Sequence, residues 1–348
     1  MKRKNILVDL SILRHPYCGL GQIALNYGRW FSQAALPDGC RITLLVPKAF
    51  KGAFGQGVDY LVYHDIYRSC PWLMPSFDTW HAIHQLSRFR PWSKRTRYLL
   101  TIHDVNFLHE KTAHKQQRYA GKLQRKCDRA DAICFISNFA REDASRILNL
   151  DGKPLHVIYN GVEDLTQGPQ TKPTAVEAGQ PFFLTLGEVK EKKNIHTLLP
   201  LMERFPTHRL LVAGNDGTPY AADLRAQLGR YPNVQMLGLV SDEERRWLYS
   251  HCTALLFPSV SEGFGLPAIE AMQWGKPVFC SDRTSLPEIG SSHAYYFTDF
   301  DPERMASVVK HGLADFADPQ KAIDEQRYAA SFSYERHMQA YMKLYLNR

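Results

Sequence analysis

Short apolar runs alternate with longer stretches of helical periodicity along almost the whole chain, and that alternation confines it to parallel α/β units. Parallel neighbours need a crossover between them, and the helical stretches supply it. In the first half, residues 6–10, 41–46, 98–102, 132–136 and 155–159 read as strands, with helices expected over 22–34, 115–129 and 138–148. A second series of strands is expected at 182–186, 209–213, 234–237, 254–257 and 277–280. Between the two series, residues 164–181 contain Gln167-Gly168-Pro169-Gln170-Thr171-Lys172-Pro173, show no periodicity and read as a linker. At 348 residues the chain is long for one domain and sufficient for two, each burying its own core. Near the end, Met338, Tyr341, Met342 and Tyr345 are spaced as one face of a helix.

Composition narrows the class. No apolar run approaches the roughly 18 residues of a membrane span. Lys2-Arg3-Lys4 before Ile6-Leu7-Val8 imitates a signal peptide, but Asp9 and Arg14 interrupt the apolar segment and no cleavage site of small residues follows. Seven cysteines without a close-spaced pair argue against a disulfide framework and a zinc ribbon, so a reducing, cytoplasmic setting is expected. Charge is unevenly spread: 24 Lys and Arg face 14 Asp and Glu in residues 1–170, and 19 face 21 in residues 171–348. The basic excess concentrates in 87–97 and in Lys115, Arg118, Lys122, Arg125 and Lys126. Such a surface is either simply solvated or attracts anionic lipid or a phosphorylated acceptor. Nucleic acid is not expected, since no helix-turn-helix, zinc-finger or RNA-binding signature accompanies the charge.

The segment with the most chemistry is Phe257-Pro258-Ser259-Val260-Ser261-Glu262-Gly263-Phe264-Gly265-Leu266-Pro267-Ala268-Ile269-Glu270-Ala271-Met272. A strand ends, a glycine-rich turn follows and Pro267 fits the first turn of a helix that Gly275 closes. The N–H groups of Phe264, Gly265 and Leu266 then lie at a helix N-terminus, which favours phosphate oxygens. Glu262 in the turn and Glu270 in the helix add carboxylates for hydroxyl groups. Nucleotide sugars combine a phosphate end with a hydroxyl-rich end.

This pattern, with Gly-Lys-Pro-Val at 275–278 and Pro-Glu-Ile-Gly at 287–290, resembles the Glu-x7-Glu signature of glycosyltransferase family 4. The resemblance implies the GT-B fold: an α/β protein of two facing doubly wound Rossmann-like domains with the ligand in the cleft between them and a C-terminal crossover helix. The domains expected are residues 1–170, on the acceptor side, and 171–332, binding the donor, with 333–348 packing back on the first. It also implies retention of the anomeric configuration. Glu262 would then fix sugar hydroxyls and Glu270 would bond the ribose.

Further segments match the same family. Phe183-Leu184-Thr185-Leu186-Gly187-Glu188-Val189-Lys190-Glu191-Lys192-Lys193-Asn194 passes from strand to helix where α/β folds bind ligands. The resemblance assigns Lys192 and Lys193, followed by Asn194, to the leaving diphosphate. Glu188, where some members carry arginine, departs from the pattern and puts a third cationic contact in doubt. In Thr101-Ile102-His103-Asp104-Val105-Asn106-Phe107, the resemblance turns His103 toward the donor sugar, where it is expected to donate a hydrogen bond, with Asp104 orienting loop or ring. His81 and His84 are weaker acceptor-side candidates.

Gly19 and Gly21 lie in a Gly-x-Gly-x-x-Ala run after Tyr17-Cys18 that imitates a dinucleotide fingerprint. The strand ends too early for the immediate turn that fingerprint demands, and Pro47-Lys48 rather than an acid follows the next strand. The resemblance makes these glycines a loop approaching donor diphosphate and acceptor instead. Gly238-Leu239-Val240 would set backbone groups against the base. Asp299 and Asp301 form an Asp-x-Asp, read as a helix cap before Pro302 rather than as a metal site.

The function expected is a metal-independent transferase, needing no cofactor, that moves a sugar from a nucleotide diphosphate to a glycan or lipid-linked acceptor in bacterial surface-polysaccharide or lipopolysaccharide synthesis. Ile-His-Asp-Val-Asn-Phe looks like the variant of bacterial mannosyl- and rhamnosyl-transferases and leans toward GDP-mannose. Two alternatives stay open: a nucleotide-sugar epimerase of the same fold, and a non-catalytic nucleotide-sugar-binding subunit.

Overall fold

The computed structural model describes residues 4–16, 18–110, 112–177 and 179–346. Lys2, Arg3, Tyr17 and the last two residues of the 333–348 segment, which entered the sequence reading, lie outside them. The chain divides into two units, Met1–Gly161 with Tyr334–Arg348, and Val162–Ser333.

The first unit is built on seven parallel strands: β1 (Lys4–Asp9), β2 (Cys40–Val46), β3 (Asp59–Val62), β4 (Thr79–Ala82), β5 (Arg97–Ile102), β6 (Ala132–Phe135) and β7 (Leu155–Val157). Their order across the sheet is β3-β2-β1-β4-β5-β6-β7. Ile6, Leu7 and Val8 of β1 and all four residues of β6 are buried, as expected of parallel strands covered on both faces. Gly19–Gln33 and Ala113–Arg129 are helices, as the periodicity predicts.

β4 is absent from the sequence reading, yet it sits between β1 and β5 with all four residues buried. Its histidine corrects an expectation. His81 is 0% exposed; its Nδ1 pairs with the Tyr345 hydroxyl at 2.6 Å and its Nε2 with Thr101 Oγ1 at 2.8 Å. The ring also stacks on Tyr341 with 4.6 Å between centroids. Both nitrogens are occupied, and burial holds the pKa well below the ordinary histidine value. His81 is therefore a neutral core residue, not an acceptor-side group. His84 is also buried, with Nδ1 accepting from the Leu86 N–H at 3.1 Å.

Tyr341 and Tyr345 come from the final helix, Tyr334–Leu346, which belongs to the first unit. Met338, Tyr341, Met342 and Tyr345 form its buried face, as their spacing predicts. His337 on the same helix bridges the Tyr27 hydroxyl at 2.8 Å and the Tyr159 carbonyl at 2.7 Å.

The second unit holds six parallel strands: β8 (Phe182–Leu186), β9 (Arg209–Ala213), β10 (Val234–Gly238), β11 (Ala254–Phe257), β12 (Val278–Ser281) and β13 (Tyr295–Phe297), in the order β10-β9-β8-β11-β12-β13. Residues 164–181, expected to link the domains, are instead fastened to this unit. Leu165 is fully buried and its N–H donates to Gln273 Oε1 at 3.1 Å, while Val176 is buried and Thr171 Oγ1 donates to Glu243 at 2.8 Å. The boundary thus falls after Gly161 rather than after residue 170. Just beyond it the Val162 N–H donates to the Phe332 carbonyl at 2.8 Å, so the incoming and outgoing chain run side by side.

In this sheet the strand order reverses between β8 and β11. Loops beyond the carboxyl ends of strands at such a switch point form the crevice where α/β sheets bind ligands. Lys192, Lys193 and Glu262 lie on the loops that leave β8 and β11.

Candidate functional site

The loop leaving β11 runs to Gly265, whose φ of 104° lies in the left-handed region. A Cβ there would also meet Leu286 Cδ2 at 2.6 Å, a side-chain end that can turn aside, so it is the backbone conformation that calls for glycine. Helix Leu266–Gln273 follows with Pro267 in its first turn, and Gly275, at φ 60°, ends it. The turn is pinned from two sides. The Val260 N–H donates to the Lys192 carbonyl at 2.8 Å, tying the turn to the β8 loop, and Ser259 Oγ stands 3.1 Å from the same carbonyl. From the segment after β12, Thr284 Oγ1 accepts from the Glu262 N–H at 3.0 Å, and the single Ser285 hydroxyl proton is shared between the carbonyls of Glu262 and Phe264, each 3.0 Å from Oγ.

These contacts place Lys193 against Glu262. Its ammonium donates to Glu262 Oε1 at 2.5 Å, with the two side chains 15% and 14% exposed. Ser259 Oγ donates to the same oxygen at 2.6 Å. Among the described residues nothing bonds to Oε2, which keeps its lone pairs for a ligand hydroxyl. The ammonium also stands 4.8 Å from the centre of the Phe257 ring. An ammonium has three N–H donors, so pairing with Glu262 leaves capacity for an anion.

Lys192 and Lys193 end a short 3-10 turn, and Asn194 follows at φ 56°, buried, with its side-chain Nδ2 lacking a hydrogen-bond partner among the described residues. Glu188 pairs with Lys190 at 2.7 Å. Three glycines end the neighbouring strands: Gly187 at φ 140°, Gly214 at 136° and Gly238 at 72°. Val240 lies half-buried just past β10.

Glu270 is 8% exposed and is held from the helix Asp242–His251: the Tyr249 hydroxyl donates to Oε2 at 2.7 Å, and Arg245 stands 3.8 Å from Oε1.

In the first unit His103 follows β5 and is 5% exposed. Its Nε2 meets the Ile83 carbonyl at 2.8 Å, and a carbonyl only accepts, so Nε2 carries the proton. Burial lowers the pKa of the ring, which is therefore neutral at pH 7 with Nδ1 unprotonated. Toward a hydroxyl, His103 is then an acceptor and not the donor expected from sequence. Asp104 orients its loop: Oδ1 accepts from the Asn106 N–H at 3.1 Å and its carbonyl from Gln85 at 2.9 Å. Gly19 and Gly21 are not in a loop but in the first turn of Gly19–Gln33, with the Gly21 N–H on Cys18 Sγ at 3.4 Å. Gly21 packs on the preceding turn, where a Cβ would lie 2.7 Å from the Pro16 carbonyl oxygen. Asp301 caps Pro302–Asp315 through the N–H groups of Glu303 and Arg304, each at 3.1 Å, as its sequence position predicts. Among the described residues no group of three or more His, Cys, Asp or Glu is placed to hold a metal ion.

Ser259, Thr284, Ser285, Arg245, Tyr249 and Gly214 escape the sequence reading. Ser259 was within reach, standing inside the motif itself; the others act across loops that only the fold brings together.

Two family models match the chain: Glycosyltransferase Family 4 over residues 71–164 and Glycosyl transferases group 1 over residues 168–328. O-antigen chain mannosyltransferase RfbU of Salmonella typhimurium is 28% identical over 218 residues, 61% of this chain and 60% of that protein. O-antigen chain mannosyltransferase B of Escherichia coli is 28% identical over 237 residues, 63% of this chain and 62% of that protein. The matches thus span about three fifths of the length of these curated relatives. Among solved structures, a sucrose-phosphate synthase from Thermosynechococcus elongatus superposes with a TM-score of 0.76 at 18% identity, covering 99% of this chain and 98% of its own. HepE of Anabaena, solved with UDP and glucose, gives 0.71 at 17% identity, covering 99% and 100%. At these identities the likeness carries the fold, two parallel-sheet Rossmann-like domains of GT-B type.

Proposed function

Since the chain belongs to the family 4, group 1 glycosyltransferases, we propose that it moves a sugar, with retention, from a nucleotide diphosphate to a hydroxyl of a glycan or lipid-linked acceptor in bacterial surface-polysaccharide synthesis. The observation that carries this is the Lys193–Glu262 pair at the switch point of the second sheet, a cation for the diphosphate beside a carboxylate with one oxygen to spare. As the bond from the anomeric carbon to the diphosphate breaks, negative charge grows on the leaving group. Lys192, Lys193 and the N-terminus of Leu266–Gln273 stabilise it electrostatically, with no metal needed in this reading. Glu262 holds sugar hydroxyls and Glu270 the ribose, and backbone groups near Val240 meet the base. The acceptor hydroxyl bonds to the anomeric carbon on the face the diphosphate leaves, and its proton passes to a departing phosphate oxygen. In the first unit, Nδ1 of His103 accepts from a sugar hydroxyl.

The two mannosyltransferases support GDP-mannose as the donor. In a thermal-shift screen of nucleotide sugars against their bare nucleotides, GDP-mannose is expected to raise the midpoint most and to exceed GDP clearly. A larger shift with UDP-glucose than with GDP-mannose overturns the donor assignment.

No described helix is long and apolar enough to cross a membrane. Lys115, Arg118, Lys122 and Arg125 are all exposed on the helix Ala113–Arg129, and Arg88, Arg90 and Lys94 are exposed too. This basic surface supports peripheral docking at the cytoplasmic face of an anionic membrane. Sedimentation with vesicles is expected to rise with anionic lipid content and to fall with salt; binding indifferent to both contradicts it.

A further inference from the structure

The helix Asp242–His251 carries Arg245 and Tyr249 four residues apart, hence on one face, and both converge on Glu270. The Tyr249 hydroxyl donates to Oε2 at 2.7 Å, whereas Arg245 Nη1 stands 3.8 Å from Oε1, beyond hydrogen-bond distance. Tyr249 is 0% exposed. Burial first, and then the adjoining carboxylate, push its phenol well above the ordinary value, so at neutral pH it keeps its proton. Arg245 also meets Asp242 at 3.3 Å and Glu163 at 3.7 Å, so its charge is divided among three carboxylates and Glu270 does not consume it. The two oxygens of Glu270 are thereby made unequal. Oε2 is locked by a short, charge-assisted bond, and Oε1 is left facing a cation with its lone pairs available.

We propose that Tyr249 and Arg245 are positioning residues for donor recognition: they fix the Glu270 carboxylate so that Oε1 accepts from the ribose hydroxyls of the nucleotide. The inference rests on the reading of Glu270 as the ribose carboxylate. It goes beyond that reading by naming the side chains that orient it. A helix clasp with no part in recognition would use the same contacts, so the test needs a readout that a clasp does not move.

That readout is discrimination between ribose and deoxyribose. Wild type, Tyr249→Phe, Arg245→Met, Arg245→Lys and Glu270→Gln are titrated calorimetrically with GDP, UDP and their 2′-deoxy forms. Wild type is expected to prefer the ribonucleotide. Tyr249→Phe is expected to lose about tenfold in ribonucleotide affinity, the scale of one hydrogen bond to a charged group, and little for the deoxy form, with a melting temperature a few degrees lower because the buried Glu270 carboxylate loses a donor. Arg245→Met is expected to follow it and Arg245→Lys to keep most of the preference. If Tyr249→Phe folds poorly, the Arg245 pair decides the matter by itself. Full discrimination in Tyr249→Phe and Arg245→Met, with its loss in Glu270→Gln, overturns the proposal and spares the role of Glu270. Discrimination kept in Glu270→Gln, or absent from wild type, overturns both.

Discussion

Lys193→Ala is expected to lower turnover at saturating donor by about a thousandfold, the scale seen when one preorganised group is removed from developing negative charge. The expectation follows from where the ammonium is held. Only about 15% of the Lys193 side chain is exposed, it is fixed by Glu262 and by the face of Phe257, and it lies on the loop that leaves β8 at the switch point. In such a setting a charge acts at full strength and needs no reorganisation as the diphosphate departs. The substitution also strands Glu262, whose Oε1 retains only Ser259. Glu262→Gln separates the two effects, since the amide oxygen still accepts from Ser259 and Lys193 while the negative charge is gone. It is expected to retain nucleotide binding but to lose most of the turnover. Glu262→Gln should melt close to wild type, whereas Lys193→Ala, which leaves a mostly buried carboxylate without its cation, should melt lower yet still fold, because the pair lies in a loop rather than in the core. Turnover within tenfold of wild type in Lys193→Ala contradicts the assignment.

Gly214→Ala is expected to destabilise the second unit by about 3 kcal/mol, combining a left-handed backbone at φ 136° with direct overlap. A Cβ at this position would lie on the Gly187 carbonyl oxygen and 2.6 Å from its carbon. The Gly187 N–H donates to the Ala213 carbonyl at 2.9 Å and the Gly214 N–H to the Gly238 carbonyl at 2.8 Å, so neither backbone segment can yield without breaking a bond. For a unit of this size the midpoint should fall by roughly 6–12 °C. Because Gly187 opens the loop carrying Lys192 and Lys193, nucleotide affinity should fall as well. Gly229→Ala is the control: nothing lies within 4 Å of a Cβ there, and it should melt like wild type. A Gly214→Ala midpoint within a degree or two of wild type contradicts this packing.

Strands 182–186, 209–213 and 254–257 were legible to the residue because buried parallel strands are short apolar runs and these are bounded by turn residues. β4 was not. Its Thr79-Trp80-His81-Ala82 is a core strand only because Tyr345, far away in the chain, and Thr101 satisfy the His81 nitrogens. β3 is an edge strand of half-buried residues and gives little periodic signal. The same logic divides the site. The glutamates and lysines stand out as charges beside glycines, and their local setting, down to Pro267 and Gly275, is written in adjacent residues. The grip of Thr284 and Ser285 on the Glu262 turn depends on β12 lying next to β11. The His103 tautomer depends on a carbonyl twenty residues away at Ile83. Neither leaves a trace in local spacing.

In the proposed reaction this site transfers a sugar to an acceptor hydroxyl. The most direct test is the mass of the products formed from GDP-mannose, with and without a mannose-containing oligosaccharide, by wild type and Lys193→Ala. An oligosaccharide one hexose heavier and free GDP are expected with wild type, and neither in quantity with the variant. A donor converted equally well without any acceptor, or an oligosaccharide extended equally well by Lys193→Ala, would contradict that reaction.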